Sequence, residues 1–525
     1  MRLVGTSFVG TSADSFDFDN VIREAVTQLQ GEGLSKREAE AQREALMQGY
    51  LWILVDEYQD IGPEEYDLIS AVAGRSQEDT DQKLSLFAVG DDDQNIYAFG
   101  GASVEFIRRF EAEYDAKPSY LIENYRSTPN IIAAANSVIA SAVQRMKIGR
   151  DITVDRQRAR GPKGGAMQTI DPVEQGRVQI LKTAGGHIAN AIAAVDELVR
   201  LSNLDPDWDW SKTAIIARNW KQLEPVRSYV EKLDIPVELA NENLPSIWRL
   251  RETQALVEAC RRHPDSLLTV SEIEGFLHDL PASRWSDLLA KGIADLRREI
   301  GQSKIAFPDL VEWIAEWCRD ARIQQHGVLL MTAHRAKGLE FNDVVILDGD
   351  WQGLSKGEDP DAPRRLFYVA MTRAKRSLAV LTDGSHPYLR HEREEVLVRD
   401  VAQNPQTQLI DQHRYDPPNM ELVDLSYAGR LYSGNNALRA IKAAKIGDPV
   451  KLSRGEKAWM IHNAAGQIIG RMAYSFDLPK GWKVDKARVG AIIQWRKSDN
   501  QEEYREYIKR EQWETILPDI TYAPA

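Results

Sequence analysis

Two short acidic blocks carry the most chemistry in this sequence. The first, Ile53-Leu54-Val55-Asp56-Glu57-Tyr58-Gln59-Asp60, is an apolar run that ends in adjacent carboxylates, then a Gln and another Asp. A strand that delivers carboxylates at its C-terminal end can hold a divalent cation and poise a water for attack on a phosphoryl group. Taken alone, Asp56 and Glu57 read equally well as two solvated acids at a strand end. The second block follows at the spacing of one more strand. Leu84-Ser85-Leu86-Phe87-Ala88-Val89 runs into Gly90-Asp91-Asp92-Asp93-Gln94-Asn95-Ile96-Tyr97-Ala98-Phe99-Gly100. Gln94 offers a neutral amide that can donate to a phosphate or bond its own loop. Tyr97 and Phe99 fall on one side of an extended stretch, where they can stack on unpaired bases or pack in a core.

Four more blocks follow in order: Glu123-Asn124-Tyr125-Arg126-Ser127, Ala214-Ile215-Ile216-Ala217-Arg218-Asn219-Trp220, Met331-Thr332-Ala333-His334-Arg335-Ala336-Lys337-Gly338-Leu339-Glu340-Phe341, and Arg365-Leu366-Phe367-Tyr368-Val369-Ala370-Met371-Thr372-Arg373-Ala374-Lys375. Together the six blocks resemble motifs II to VI of the UvrD/Rep-type superfamily 1 DNA helicases, from about residue 15 to about residue 385. The resemblance implies ATP and Mg²⁺ as cofactors. Asp56 would help hold the metal and Glu57 would orient the attacking water. Gln94 would sense the γ-phosphate, and Arg126 and Arg373 would clamp it, a task that suits an always-charged, bidentate guanidinium. Tyr125 would stack on adenine, Glu340 would bond the ribose hydroxyl, and Gly338 would permit close backbone approach. Tyr97, Phe99, Thr332, His334 and Lys337 would contact DNA or couple it to the nucleotide. Gly100 stands where the family usually has Arg, which puts one DNA phosphate contact in question.

One expected part is missing. The family holds nucleotide phosphates on a G-x-x-x-x-G-K-[ST] loop, and no Gly of this chain is followed by Lys. Only 55 residues precede Asp56, fewer than the family places between that loop and its acidic pair. The sequence is therefore expected to be a helicase without the front of its first motor domain: a fragment, one half of a split enzyme whose phosphate loop comes from a separate chain, or an inactive DNA-binding or regulatory remnant. The substrate implied is single-stranded DNA or a 3′-tailed duplex, translocated 3′ to 5′, with DNA repair among the candidate roles.

The elements that must position these residues follow from pattern and length. A chain of 525 residues, 43% hydrophobic and 28% charged, has the composition of a soluble multidomain protein. Its net charge of −13 does not advertise a nucleic-acid binder. Cys260 and Cys318 suit a reducing, cytoplasmic setting and supply no metal cluster. No apolar run is long enough to cross a membrane. Alternating strands and helices predict an α/β fold with two RecA-like parallel-sheet motor domains, the first truncated, a helical insertion and a C-terminal β-rich domain. The expected boundaries are 1–118 for the truncated first motor domain, 119–240 and 326–390 for the second, 241–325 for the insertion (with Leu310, Trp313, Ile314 and Trp317 at helical spacing), 391–429 for a linker and 430–525 for the C-terminal domain. That last segment carries 17 Lys+Arg against 11 Asp+Glu, a local charge of +6. Basic residues interleaved with Trp459, Trp482 and Trp495 fit either nucleic-acid contact or a structural cap with a solvated basic face.

Overall fold

The computed structural model describes residues 18–75, 83–97, 103–143, 145–240, 245–320, 327–354, 359–384, 386–390, 393–401, 410 and 413–525. The fold is mixed α/β, with parallel sheets flanked by helices. The chain divides into two compact units, Met1–Thr183 with Ala333–Val401, and Ala184–Thr332 with Ala402–Ala525. Among the described residues, no helix is long and apolar enough to cross a membrane.

The first unit contains a small parallel sheet. Strands Trp52–Val55 and Ser85–Ala88 pair in register from Trp52↔Ser85 to Val55↔Ala88. One face, with Val55 and Ala88, packs on Tyr58, Ile61 and Tyr66 and on Phe106, Ile107 and Phe110. Those last three residues come from helix Val104–Tyr114, which Ser103 caps by accepting the Glu105 N–H. The helix Pro63–Ala73 opens on a proline in its first turn and closes on Gly74 in the left-handed region. The opposite face of this sheet is bare: Trp52, Leu54 and Phe87 are 68%, 77% and 57% exposed.

A second parallel ladder in this unit runs in the order Val396–Asp400, Val178–Lys182, Ala374–Thr382, Phe341–Ile346. Its central strands are buried along most of their length, as strands covered on both faces are. Residues 391–429, expected as a linker, thus contribute the strand Val396–Asp400 here and Arg414–Asp416 in the second unit. The helix Ala362–Met371 is buried along most of its length, and His386 lies over its Phe367, ring centroids 4.4 Å apart. His386 Nδ1 accepts the N–H groups of Tyr388 and Leu389, while Nε2 has no partner among the described residues.

The second unit holds three parallel strands in the order Thr213–Ala217, Val328–Thr332, Val237–Leu239. Its helical segment comprises Arg251–Arg261, Val270–His278, Arg284–Ile300 and Phe307–Asp320. Leu310 and Ile314 enter a core with Leu256, Ile273 and Leu289, while Trp313 and Trp317 stack at its edge. The C-terminal segment builds antiparallel sheets from Val450–Arg454, Trp459–Asn463 and Ile468–Arg471, and from the long pair Trp482–Arg496 and Gln512–Pro524 with Arg414–Asp416. The helical and C-terminal segments are not independent. Leu250, Trp285 and Leu288 share one core with Ile461, Ile492, Ile516 and Tyr522. The Trp285 indole donates to the Gly490 carbonyl (3.2 Å), and Arg251 makes a forked pair with Glu514 at 2.6 and 2.7 Å.

Burial pulls the His386 imidazole down from 6.5 to about 3. Its folded form stays neutral while an unfolded chain takes up a proton, so stability is lost as pH falls from the ordinary histidine value toward about 3. The slope from this group reaches about 1.4 kcal/mol per pH unit. His386→Phe is expected to remove that slope. Urea midpoints of the two proteins between neutral and mildly acidic pH check this; parallel pH dependences would show the imidazole to be protonated or solvated in the fold.

Candidate functional site

The Trp52–Val55 strand ends at Asp56, and Glu57 then takes a left-handed backbone conformation, φ 51° and ψ 39°. Such a conformation is uncommon for a non-glycine residue and turns the chain sharply out of the strand. Asp56 Oδ1 accepts the Glu57 N–H at 2.9 Å. Glu57 Oε2 accepts the Gln59 amide at 2.5 Å and lies 3.1 Å from Lys337 Nζ. The Gln59 side chain is fully buried, and its Oε1 accepts the Asp91 N–H at 2.8 Å. This crossing requires Gly90, because a Cβ there would meet Gln59 Oε1 at 2.7 Å and Ile107 Cδ1 at 2.9 Å. The two acidic blocks are therefore locked to each other at the strand ends.

Lys337 is the hub. Its ammonium is nearly buried and reaches Glu57, Asp60 and the Gln94 carbonyl, the last at 3.1 Å. It also lies 5.4 Å from the centroid of the Tyr97 ring, whose hydroxyl donates to the His334 carbonyl at 3.3 Å. Burial raises the Asp60 carboxyl above its usual range despite the Lys337 contact. Gln94 donates to Asp91 Oδ2 at 2.8 Å, and its Oε1 lies 3.5 Å from Arg373 Nη2. Arg373 is buried and further held by the carbonyls of Val369 and Leu339 and by Thr372 Oγ1. Burial, followed by the like charge of Arg126, lowers its pKa to about 10, which leaves the guanidinium charged at neutral pH.

Arg126 faces a neighbouring set. Its Nε donates to Glu340 Oε2 at 2.7 Å, and Lys375 pairs with the other oxygen of the same carboxylate. Bonds from Lys375 and Arg126 hold the Glu340 carboxyl below its usual range. Asn124 Oδ1 accepts the N–H groups of Arg126 and Ser127, and Ser127 Oγ donates to the Ala374 carbonyl at 2.6 Å, which pins this turn to the strand that follows Arg373. Tyr125 is exposed, with its hydroxyl on Glu123. Gly338 has φ +76° and open space where a side chain would stand. Asp56, Glu57, Gln94, Tyr97, Arg126, His334, Lys337, Gly338, Glu340 and Arg373 thus all belong to the first unit, while Thr332 ends the Val328–Thr332 strand of the second. Phe99 and Gly100 lie outside the described residues.

Several residues at the site had no assignment from sequence. Gln59 and Asp60 sit inside the first acidic block and carried a signal that was not used. Arg145 and Lys147 carried none, because they lie in an Arg-, Gly- and Lys-rich stretch that reads as loop. Arg145 forks onto Asp93 at 2.8 and 2.7 Å, and Lys147 bridges Asp91 (2.5 Å) and Asp93 (3.2 Å). Asp91, Asp92 and Asp93 place carboxylate oxygens close enough to bind a cation. Yet Arg145 and Lys147 already neutralise two of them, and the third, Asp92, accepts the Met146 N–H at 2.7 Å. This cluster is an internal ion-pair knot, whereas Asp56 and Glu57 are exposed.

Comparison with known proteins follows the same blocks. Residues 10–115 match the UvrD/REP helicase N-terminal domain and residues 302–383 the UvrD-like helicase C-terminal domain. ATP-dependent DNA helicase UvrD2 of Mycobacterium tuberculosis is 30% identical over 401 residues, covering 71% of this chain and 52% of that protein. UvrD1 of the same organism is 42% identical over 130 residues, 25% of this chain and 16% of that protein. DNA helicase II of Haemophilus influenzae is 25% identical over 483 residues, 77% of this chain and 64% of that protein. These matches support a UvrD/Rep-type helicase.

The chain spans about half the length of UvrD2. Both family-matched regions contribute to the site: residues 56–97 lie in one and residues 334–373 in the other. Arg126, Arg145 and Lys147 fall between them.

The geometry separates structural acids from accessible ones. Arg145→Ala takes the fork away from the buried Asp93 carboxylate and leaves it with Lys147 alone, and is expected to cost on the order of 3 kcal/mol of stability. Asp56→Asn and Glu57→Gln change exposed groups and are expected to shift stability by less than about 0.5 kcal/mol. Urea unfolding of the three variants followed by intrinsic fluorescence makes the comparison. Equal effects at Asp93's partner and at Glu57 would contradict it.

Proposed function

We propose that this chain carries the carboxylate and arginine side of the ATP site of a UvrD-type DNA translocase that moves 3′ to 5′ on single-stranded DNA. The observation that carries this reading is the convergence of Glu57, Gln94, Lys337 and Arg373. One buried ammonium joins the carboxylate to the Gln94 backbone, and the Gln94 side chain meets the guanidinium. In this reading Glu57, steered by Gln59 and Lys337, orients the attacking water. Arg373 and Arg126 stabilise charge on the transferring phosphoryl group. Asp56, as an exposed oxygen donor, suits Mg²⁺, which takes one or two carboxylates along with nucleotide phosphates and would neutralise their charge when bound. Tyr125 and Glu340 are assigned to the adenine ring and the ribose. Tyr97, His334 and Thr332 are assigned to the DNA side, with Lys337 as the coupling element between DNA and nucleotide.

The phosphate-binding loop is assigned to polypeptide outside this 525-residue sequence, since no Gly-Lys pair occurs within it. The bare face of the Trp52–Val55 and Ser85–Ala88 sheet supports this assignment. Parallel sheets are ordinarily covered on both faces, and two strands are too few to stand alone.

The 525-residue chain by itself is expected to hydrolyse ATP poorly, with or without DNA. With the loop-bearing polypeptide supplied, Glu57→Gln should lower turnover by about 10²–10⁴ while nucleotide binding persists. Arg373→Lys, which keeps the charge and loses the fork, should lower kcat with little change in ATP affinity. DNA-stimulated ATPase and nucleotide-binding titrations on the same preparations test this. Brisk turnover by the chain alone, or full activity in Glu57→Gln, would overturn the assignment.

A further inference from the structure

The sequence places Trp459, Trp482 and Trp495 among basic residues in the C-terminal segment, but the fold turns these rings inward. Each is half-buried against the core containing Ile461, Ile492 and Ile516. Each is also covered by an arginine: Arg454 lies 5.7 Å, Arg414 4.6 Å and Arg249 4.3 Å from the respective ring centroid. The aromatic surface left open in this segment is made of tyrosines.

Tyr432 is 72% and Tyr474 64% exposed. Each has a cation over one face of its ring, yet unlike the half-buried tryptophans each stays exposed as a residue. Lys509 Nζ lies 3.3 Å from the Tyr432 centroid, and the Arg471 guanidinium lies 4.7 Å from that of Tyr474. The two pairs belong to one patch. Arg471 and Arg430 both donate to Asp424 Oδ2, Arg430 precedes Tyr432 by two residues, and the Lys509 N–H donates to the Gly429 carbonyl at 2.9 Å. Tyr504 and Tyr507 are also exposed and lie close to Lys509 in sequence. Glu503 and Glu506 bond their hydroxyls, so that side of the patch repels phosphate. Among the described residues, the other large exposed apolar side chains of the second unit are aliphatic: Leu204, Leu233 and Leu267. Among the described residues of the second unit, open aromatic rings are thus confined to the segment whose local charge is +6 in a chain of −13.

We propose that Tyr432 and Tyr474, with Lys509 and Arg471 beside them, form a platform for single-stranded nucleic acid on the second unit. Unpaired bases stack on exposed aromatic faces with little regard to sequence, while adjacent cations neutralise the phosphates that follow. A duplex hides its base faces and gains only the phosphate term. The platform rests on the nucleic-acid part of the reading above and places a second contact outside the matched helicase regions, which end at residue 383.

The test is fluorescence anisotropy of the full 525-residue chain with labelled oligothymidylate, oligouridylate and a duplex, at several salt concentrations. Tyr432→Ala and Tyr474→Ala should each weaken single-strand binding about five-fold or more, while Tyr→Phe at either position stays within about two-fold. Lys509→Gln should reduce the salt slope by roughly one. Unchanged thermal midpoints will show that these exposed substitutions leave the fold intact. Binding of either single strand with these losses supports the platform, and the two polymers tell DNA from RNA. Wild-type binding that is indifferent to both Tyr→Ala changes, or that favours the duplex, overturns the platform alone. No binding of any single strand by the wild type, even at low salt, overturns the platform and the translocase reading together.

Discussion

The nearly buried ammonium of Lys337 is the contact on which the acidic site depends. A buried charge is tolerated only when partners surround it. Here the partners come from two places: Glu57 and Asp60 after the first strand, and the Gln94 carbonyl after the second. The ammonium therefore fixes the relative positions of two strand ends and of the loop that carries Lys337 itself. Glu57 keeps its carboxylate at the surface although its own backbone is strained, because Gln59 and Lys337 hold it there. Without a cation at that point, the Glu57 and Asp60 carboxylates would repel each other.

A second ion-pair layer lies behind the first. Arg145 and Lys147 satisfy Asp91 and Asp93, and Arg365 donates to the Asn95 carbonyl and to Asp359. These contacts fix the loop that presents Gln94 without exposing their charges. The site thus divides its acids into those that hold the loop and those that face solvent, and burial tells the two apart where sequence does not.

The blocks around Asp56, Gln94, Lys337 and Arg373 were legible because their residues must sit at strand ends and helix starts at fixed spacing, which leaves a contiguous imprint. Strands such as Thr213–Ala217 and Val328–Thr332 were legible from unbroken apolar runs bounded by polar residues. The partners of Asp91 and Asp93 were not, since Arg145 and Lys147 come from more than fifty residues away in a stretch with no periodicity. The stripe of Leu310, Trp313, Ile314 and Trp317 announced an amphipathic helix, yet an apolar stripe names no partner. Nothing local told that Leu250 and Trp285 would share a core with Ile492 and Tyr522. The tryptophans of the C-terminal segment were ambiguous for a similar reason: a large ring beside arginines is compatible with an open stacking surface and with a covered, half-buried one.

That shared core has a consequence for biosynthesis. Leu250 and Tyr522 are separated by most of the remaining chain, including the whole Ala333–Val401 segment that belongs to the first unit. Contacts of such long sequence separation form slowly, because loop closure must precede them. During synthesis every residue of the first unit is available before the last strand, Gln512–Pro524, can complete the second. The helices between Arg251 and Asp320 must wait on the ribosome with Leu250, Trp285 and Leu288 uncovered, a period in which chaperone contact or premature arrest of translation would bear on this half of the molecule alone.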